Sequence, residues 1–222
     1  MALEDDRVRL VVGLGNPGAR YARTRHNIGR DAVEDLAQQL DAGKPKRRFA
    51  GEIAEARGPA GPVALLIPGT FMNDSGRSVG PAAGSLGIAP HQVLVVHDEI
   101  DIPFGEVRGK LGGGTAGHNG LRSIETGLGS RDFARIRVGV GRPGADWRGT
   151  DADWVLARFS EDPEEVSDLR DRAVLMIMSA LGDGLATAIE RFHARPAGEK
   201  ARARAARRAA QGPDLTVEGG GQ

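Results

Sequence analysis

Hydrophobic residues recur along this chain with two periods, one typical of strands and one typical of helices. Six short runs either alternate between apolar and polar residues or are apolar throughout. They predict β-strands at 8–14, 49–56, 63–67, 93–96, 105–111 and 135–140. The run at 93–96 is wholly apolar, which is typical of a central strand covered on both faces. The run at 135–140 alternates Arg with apolar residues and predicts a half-exposed strand.

Apolar residues at helical spacing predict helices between and after these strands. The helices are expected from Asn27 to near Gly43 and at 73–86, 118–128 and 163–195, with Gly182 and Gly184 kinking or splitting the last one. Because strands alternate with helices, the sequence predicts a single α/β domain whose sheet has helices on both faces. We expect this domain to span 1–195 and the Ala/Arg- and Gly-rich tail, 196–222, to be disordered.

Composition narrows the class of protein. The chain has 222 residues, of which 40% are hydrophobic, enough for one domain with a sizeable core. No apolar run approaches the roughly 20 residues that a membrane span needs, and the acidic start of the chain does not resemble a secretory signal. Cysteine is absent, which excludes disulfides, thiolate nucleophiles and Cys-based zinc sites and favours a reducing, cytoplasmic setting. Water is therefore the more plausible nucleophile for any hydrolytic chemistry.

The charges balance, with 30 basic and 30 acidic residues. Any contact with a nucleic acid must therefore come from local clusters rather than from net charge. A solvated surface is the ordinary explanation of such clusters. Two of them lie near glycine-containing loops: Arg20, Arg23, Arg25 and Arg30, and Arg108, Lys110 and Arg122.

The spacing Gly13-x-Gly15-x-x-Gly18 matches the fingerprint of dinucleotide-binding folds. That motif works only when a helix opens at the glycines, so that its N-terminus meets a pyrophosphate. Here Pro17 and several irregular residues come before the next predicted helix. We therefore expect no nicotinamide cofactor.

A second spacing, Gly76-x-Ser78-x-Gly80, matches the nucleophile elbow of serine hydrolases. The elbow requires a strand directly before the serine, and the residues before Ser78 have a turn or helix-start pattern instead. The chain order Ser78, Asp98, then His118 or His193 would permit a triad, so a serine esterase stays open as an alternative.

The residues best suited to chemistry are His26 and Asp98. An acid at the end of a buried strand is costly unless it has a partner. A histidine beside it would be held in one tautomer, with its other nitrogen free to take a proton from water. His97 and Glu99 would face away from Asp98, and no third ligand is evident, so no metal is predicted.

Asn16, Asn73 and Asn119 lie beside glycines, prolines or loops. Each is compatible with a simple turn residue. An amide also donates and accepts hydrogen bonds without titrating, which suits it to orient an ester carbonyl or a water molecule at neutral pH.

Seven motifs in this order resemble the bacterial peptidyl-tRNA hydrolase family over about residues 8–193. They are VVGLGNPG at 11–18, TRHNIG at 24–29, FMNxSG at 71–76, HDEID at 97–101, KLGGG at 110–114, GHNGL at 117–121 and RIRVGVGRP at 135–143. No single motif would be specific, but seven in order at compatible spacing are.

The resemblance implies hydrolysis of the ester that joins a peptide to the 3′ end of tRNA, which recycles tRNA from peptidyl-tRNA dropped by ribosomes. It implies that His26 is the catalytic base and Asp98 its partner. The substrate-positioning residues that it implies are Asn16, Tyr21, Met72, Asn73, His118 and Asn119. The basic residues that it links to tRNA contact are Arg108, Lys110 and Arg137, the last with Arg135 as a neighbour that competes for the role.

The same resemblance implies a mixed, twisted sheet and a monomeric, cytoplasmic enzyme without a cofactor or a metal. This chain departs from the family pattern at Thr115 and Ala116, which replace a more glycine-rich stretch and are expected to stiffen that loop. The tail from Ala197 onward has no counterpart in the pattern. A non-catalytic tRNA-binding module is the second alternative.

Overall fold

The apolar runs form one mixed sheet of seven strands in the computed structural model, which describes residues 6–193. The strands are β1 (Leu10–Gly13), β2 (Lys46–Arg48), β3 (Gly51–Gly58), β4 (Gly61–Pro68), β5 (Val93–Glu99), β6 (Val107–Leu111) and β7 (Ala134–Gly139). Their order across the sheet is β2-β3-β4-β1-β5-β7-β6. The central strands β4, β1, β5 and β7 run parallel, and β2, β3 and β6 pair antiparallel with their neighbours.

Helices cover both faces of this sheet, as the alternation of strands and helices predicts. They are α1 (Ile28–Gln39), α2 (Gly76–Leu86), α3 (Asn119–Leu128), α4 (Asp151–Leu156), α5 (Pro163–Asp183) and α6 (Leu185–His193). The buried faces of α1, α5 and α6 form one core with alternate residues of β1, β4, β5 and β7. The buried faces of α2 and α3 form a second core with the other residues of β1 and β5. The predicted α/β class and mixed sheet are confirmed.

Two elements were not predicted from the sequence. Strand β2 consists of three exposed basic residues and is held only by antiparallel pairing with β3, so no hydrophobic period marks it. Helix α4 is one and a half turns long, and no residue in it is buried. The predicted split of the last helix occurs at Gly184, which has a φ of +83° and separates α5 from α6.

The prediction of a half-exposed strand at 135–140 was wrong. Strand β7 lies between β5 and β6, and five of its six residues are buried, including Arg135 at 1% exposure. Arg135 is accommodated because its guanidinium binds backbone carbonyls rather than water.

Among the described residues, no helix combines the length and the hydrophobicity that a membrane span requires. The predicted tail, 196–222, and the domain boundary at 195 lie outside the described residues, so both stay predictions.

Candidate active site

Three parallel strands end at the same edge of the sheet and deliver most of the predicted site. Strands β4, β1 and β5 are adjacent and parallel, so their carboxyl ends lie together. The segment after β4 carries Met72 and Asn73, the loop after β1 carries Asn16, and Asp98 lies at the end of β5. This topology explains why residues far apart in sequence meet.

His26 reaches the same edge because α1 packs closely on β5. A Cβ atom at Gly29 would lie 2.2 Å from the carbonyl oxygen of Val96, so only glycine allows this approach. The turn Arg25–Asn27 directly precedes α1 and therefore sits above the end of β5. The helix start thus sets the imidazole over the carboxylate.

His26 and Asp98 are in direct contact. Nδ1 of His26 lies 2.9 Å from each of the two carboxylate oxygens of Asp98. Because a carboxylate only accepts hydrogen bonds, Nδ1 carries the proton. In the neutral ring Nε2 is then unprotonated, and no described residue hydrogen-bonds to it. The structure therefore brings His26 and Asp98 into the expected contact.

A second imidazole binds the same carboxylate. Nε2 of His118 lies 3.1 Å from Oδ1 of Asp98, so Nε2 is the protonated nitrogen of His118. Its unprotonated Nδ1 accepts from the backbone N–H of Leu121 in the first turn of α3. The rings of His26 and His118 have centroids 5.2 Å apart. His118 is therefore a third member of the hydrogen-bonded cluster formed by His26 and Asp98.

Burial and charge act in opposite directions on this pair. Burial lowers the pKa of His26, but the charge of Asp98 and the hydrogen bond to it outweigh burial and raise that pKa above its ordinary value. Burial raises the pKa of Asp98, but the charge of His26 and the hydrogen bonds and charge of His118 reverse this and hold the pKa well below its ordinary value. Asp98 is therefore ionised at neutral pH and makes His26 a stronger base.

His97 packs against this cluster. It is fully buried, and its Nδ1 donates to the backbone carbonyl of Asp98 at 2.7 Å. Its ring packs edge-on against His118 with centroids 4.8 Å apart. Burial lowers the pKa of His97 well below its ordinary value, and the charge of His118 lowers it further. His97 is therefore neutral and acts as packing.

Asn16 is a buried connector between two parts of the site. Its Oδ1 accepts from the backbone N–H of Met72 at 2.8 Å. Its backbone N–H donates to Oδ1 of Asn27 at 2.8 Å, and Nδ2 of Asn27 donates back to the carbonyl of Asn16 at 3.0 Å. These bonds use the acceptor of the Asn16 amide and leave its NH₂ group as the donor.

The other two asparagines are exposed at the rim. Asn73 lies in the short turn before α2 and Asn119 is the first residue of α3. Asn73 directly follows Met72 in the chain. Asn119 directly precedes Gly120, where an added Cβ would lie 2.5 Å from the sulfur of Met72. Exposed amides next to the buried cluster are free to contact a substrate.

Two aromatic rings meet where the loop after β1 and the segment after β4 come together. Tyr21 is half-buried and meets Phe71 edge-on, with ring centroids 6.2 Å apart. Phe71 is 53% exposed, although it is a large hydrophobic residue. Met72 is buried directly after it. The structure therefore brings all six predicted substrate-positioning residues to one edge of the sheet.

The predicted basic residues share one face of strands β6 and β7. Arg108 is directly opposite Arg137, and Lys110 is directly opposite Arg135, so the four side chains project from the same face. We call Arg108, Lys110 and Arg137 the basic array, because these three are partly exposed. Arg108 also pairs with Glu106 at 2.6 Å.

Arg135 has a different task from its neighbour Arg137. Its two terminal nitrogens donate to the carbonyl oxygens of Gly113 and Gly114, each at 2.7 Å. Its guanidinium also packs on the ring of Phe133 at 4.5 Å from the centroid. Arg135 thus holds the glycine loop, and Arg137 is the member of the pair that reaches solvent.

His26, Asp98 and His118 are also the described residues with the geometry to hold a metal ion, since their ligand atoms all lie within 4.8 Å of one another. Two imidazoles and a carboxylate suit Zn²⁺ or a similar ion. The hydrogen bonds among the three side chains already account for their arrangement, because each imidazole nitrogen facing Asp98 has a carboxylate acceptor.

The two misleading motifs have structural explanations. Ser78 lies within α2, is fully buried, and its Oγ has no hydrogen-bond partner among the described residues. It has neither a histidine partner nor the exposure that an attacking serine needs. Gly13 packs against α1, where an added Cβ would lie 2.8 Å from the carbonyl oxygen of Gly29. Gly13 and Gly15 therefore serve strand–helix packing, whereas Gly18 has a φ of +96° and no such contact, and α1 begins only at Ile28.

Sequence reasoning missed three residues that shape the site. Asn27 appeared only as a helix start, although its amide holds the loop of Asn16. Phe71 appeared only within a motif, and its exposure beside Tyr21 could not be predicted. Arg25 appeared only within a basic cluster, although it is 1% exposed and anchored. The one sequence feature that could have pointed to these three residues is that they lie in the polar stretches around His26 and Met72.

Known proteins resemble this chain over most of its length. The sequence model of the family described as Peptidyl-tRNA hydrolase matches residues 10–201. A peptidyl-tRNA hydrolase of Sorangium cellulosum is 45% identical over 188 residues, which cover 84% of this chain and 84% of the relative. One of Mycobacterium tuberculosis is 43% identical over 187 residues, which cover 83% of this chain and 97% of the relative.

Solved structures of this family have the same fold. A crystal structure of peptidyl-tRNA hydrolase from Acinetobacter baumannii is 36% identical and superposes with a TM-score of 0.75, covering 86% of this chain and 97% of that one. A complex of peptidyl-tRNA hydrolase with N-propanol has a TM-score of 0.77 and covers 88% of this chain. The motifs, the fold and these relatives agree: the chain belongs to the peptidyl-tRNA hydrolase family.

Proposed function

We propose that this chain hydrolyses the ester bond between an N-blocked aminoacyl group, such as a peptide, and the 3′ end of tRNA. The observation that carries the proposal is the contact between Nδ1 of His26 and both carboxylate oxygens of Asp98. It leaves an imidazole nitrogen unprotonated at an edge of the sheet where amides and aromatic rings converge. Such an enzyme recycles tRNA from peptidyl-tRNA that ribosomes have dropped.

In the first step, Nε2 of His26 takes a proton from a water molecule as the water oxygen attacks the ester carbonyl. The positive charge that develops on the imidazole is stabilised by Asp98, which is buried and ionised. His118 holds the same carboxylate in place through Oδ1. Positioned base catalysis of this kind contributes about 10²–10⁴-fold.

The tetrahedral intermediate needs hydrogen-bond donors for its oxyanion. The NH₂ group of Asn16 is left free by the bond from Met72 to the Asn16 oxygen, and the amides of Asn73 and Asn119 are exposed at the rim. These three are the proposed donors to the oxyanion and to the attacking water. The intermediate then collapses as His26 returns its proton to the ribose oxygen, which releases the tRNA and the peptide acid.

The basic array is proposed to bind tRNA phosphates. Arg108, Lys110 and Arg137 project from one face of the sheet near the glycine loop that leads to His118 and Asn119. Contacts to phosphates give salt-dependent affinity with little sequence readout, which suits an enzyme that accepts many tRNAs. We further propose that the enzyme works in the cytoplasm as a monomer; gel filtration with light scattering tests the oligomeric state.

Two other functions predict different behaviour. A serine esterase would lose activity when Ser78 is replaced by Ala, but Ser78 is buried in α2 away from His26. A non-catalytic tRNA-binding module would bind tRNA in a salt-sensitive way without turnover, and would have no use for a buried acid that orients an imidazole.

The test compares an N-acetylated aminoacyl-tRNA with the same tRNA bearing a free amino acid. The proposal predicts that the enzyme releases the N-acetylated amino acid from the first substrate and does not cleave the tRNA that bears a free amino acid. Cleavage of neither substrate would remove the proposal, and loss of activity on Ser78→Ala alone would favour the esterase. The predicted tail is tested by deletion after Pro196, which we expect to leave cleavage nearly unchanged.

A further inference from the structure

Arg25 directly precedes the proposed base, but its side chain turns away from the site into the protein. It is 1% exposed. Its Nη1 donates to the backbone carbonyl of Arg158 at 2.6 Å, and its Nη2 binds the carboxylate of Glu161 at 2.9 Å. A buried guanidinium with this many fixed partners is a rigid anchor.

An aromatic ring completes the anchor. The guanidinium carbon of Arg25 lies 3.5 Å from the centroid of a Trp154 ring, which is a close cation–π contact. Trp154 is one residue of the segment 150–161, which contains α4 and which we call the strap. The plane of the guanidinium is therefore fixed on its face by Trp154 and on its edge by Arg158 and Glu161.

The strap also forms backbone hydrogen bonds with the residues directly before His26. The N–H of Arg25 donates to the carbonyl of Ala157 at 3.1 Å, and Thr24 forms an antiparallel bridge with Arg158. The turn that carries His26 is thus held by the strap through both its side chain and its main chain.

The strap is tied to the other half of the acid–base pair as well. Nε1 of Trp154 donates to the carbonyl of Gly141 at 2.8 Å. The backbone N–H of Gly141 donates in turn to the carbonyl of Ile102 at 3.0 Å. The backbone N–H of Val140 donates to the backbone carbonyl of Glu99 at 3.1 Å. Glu99 directly follows Asp98. One side chain, Trp154, therefore connects the segment of His26 to the segment of Asp98.

We infer that Arg25 and Trp154 are positioning residues that hold the imidazole of His26 against Asp98. The inference rests on the proposed function, because it assigns a role in that reaction. Neither residue is placed to touch the substrate. Displacing a catalytic group by about 1 Å costs on the order of 10²-fold in rate, so loosening this connection lowers kcat more than it changes KM.

The test uses Arg25→Lys, Trp154→Ala and Trp154→Phe in the full chain. Lysine keeps the charge but lacks the planar fork, and phenylalanine keeps an aromatic face but not the bond to Gly141. Arg170→Lys is the matched control, because Arg170 makes a comparable two-pronged pair with Asp35, between α5 and α1. Kinetics on N-acetylated aminoacyl-tRNA and thermal unfolding are measured for all four.

A second readout reports the contact itself. The proton shared by Nδ1 of His26 and Asp98 is expected to give a downfield N–H signal in proton NMR, assigned by its loss in His26→Ala. Arg25→Lys and Trp154→Ala are expected to shift or broaden this signal and to lower kcat about tenfold or more with KM within about twofold. Trp154→Phe is expected to retain more activity than Trp154→Ala, and Arg170→Lys to retain the signal and kcat.

The outcomes separate the two claims. A wild-type protein that cleaves no N-acetylated substrate overturns the proposed function. An active wild type with an unchanged signal and unchanged kcat in the Trp154 variants, which change a partly exposed side chain, overturns the positioning role alone. An equal fall in Arg170→Lys would also overturn it, since the loss would then follow stability rather than position.

Discussion

Nδ1 of His26 lies at the same distance, 2.9 Å, from both carboxylate oxygens of Asp98, although 72 residues separate the two in the chain. Such a forked contact fixes which nitrogen of the imidazole bears the proton. It also links the basicity of His26 to the charge of Asp98, and so it makes the pH dependence of the reaction predictable.

The first prediction concerns that pH dependence. A general base must be unprotonated, so kcat/KM is expected to fall as the pH drops through the raised pKa of His26. Burial is the largest influence on the pKa of His26 and lowers it. In Asp98→Asn the charge of Asp98 no longer opposes this effect. The acidic limb should therefore move to lower pH, while the plateau falls by about 10²-fold or more because the tautomer is no longer fixed. Rate profiles across the pH range check both shifts.

Asp101→Asn is the control for this experiment. Asp101 is exposed, lies three residues from Asp98 and pairs with Arg142 instead of a histidine. Its profile should match that of the wild type. A limb that stays in place in Asp98→Asn would show that His26 does not govern it.

The three asparagines are expected to separate stability from activity. Asn16→Ala leaves the buried N–H of Met72 without its acceptor and should cost about 1–3 kcal/mol of unfolding free energy as well as activity. Asn16→Asp keeps the acceptor and should recover much of the stability but not the activity. Asn73→Ala and Asn119→Ala remove exposed amides, so they should lower kcat with stability changes of about 0.5 kcal/mol or less. Denaturant unfolding and kinetics together test the division.

Single Ala substitutions in the basic array are expected to raise KM for tRNA substrates. Removing any one of these side chains that contacts a phosphate should lower the slope of log affinity against log salt concentration by about 0.9. Arg142→Ala is the control, since Arg142 is exposed and basic but lies outside β6 and β7. Salt titrations of tRNA binding measure this slope for the wild type and for each variant. A slope that is unchanged in all three array variants would place the tRNA on another surface.

Asp31 in the first turn of α1 is expected to limit stability at neutral pH. Burial raises its pKa from 3.8 to about 6, and the charge of Arg170 only partly offsets this. Between these two values the folded chain binds a proton that the unfolded chain does not, so stability falls as the pH rises through that window. Asp31→Asn should therefore stabilise the protein by about 1 kcal/mol above pH 6 and by little near pH 4.

Thermal unfolding at the two pH values measures the Asp31 effect. Asp35→Asn is the matched control, because Asp35 is paired with Arg170 and its loss should destabilise instead. Equal gains for Asp31→Asn at both pH values would contradict the assigned cause.

Hydrophobic period was sufficient to predict six of the seven strands and the α/β class, because strands such as β5 and helices such as α1 bury a regular face. The mixed sheet was implied only by the family resemblance. Hydrophobic period could not predict β2 or α4, which are held by strand pairing and by caps such as Thr150 rather than by burial. Arg135 was misjudged for a related reason. Its charge indicates exposure, and only the folded loop supplies the carbonyls of Gly113 and Gly114 that allow its burial.

Several residues of the candidate site were named from the sequence, but their geometry could not be predicted from it. Asp98 was recognisable as an acid ending an apolar strand, and His26 as a polar residue in a stretch that resembles the family pattern. That His118 shares the same carboxylate depends on how α3 meets β5, which no local pattern records. The same limit applies to Arg25, whose partners Trp154 and Glu161 lie far along the chain.

The most direct measurement is the kcat of His26→Ala on N-acetylated aminoacyl-tRNA, beside His91→Ala as a matched control with a more exposed ring. The account predicts a fall of about 10²-fold or more for His26→Ala, with KM close to that of the wild type, and no change for His91→Ala. A His26→Ala enzyme that cleaves this ester within about threefold of the wild-type rate would contradict a general base at this position.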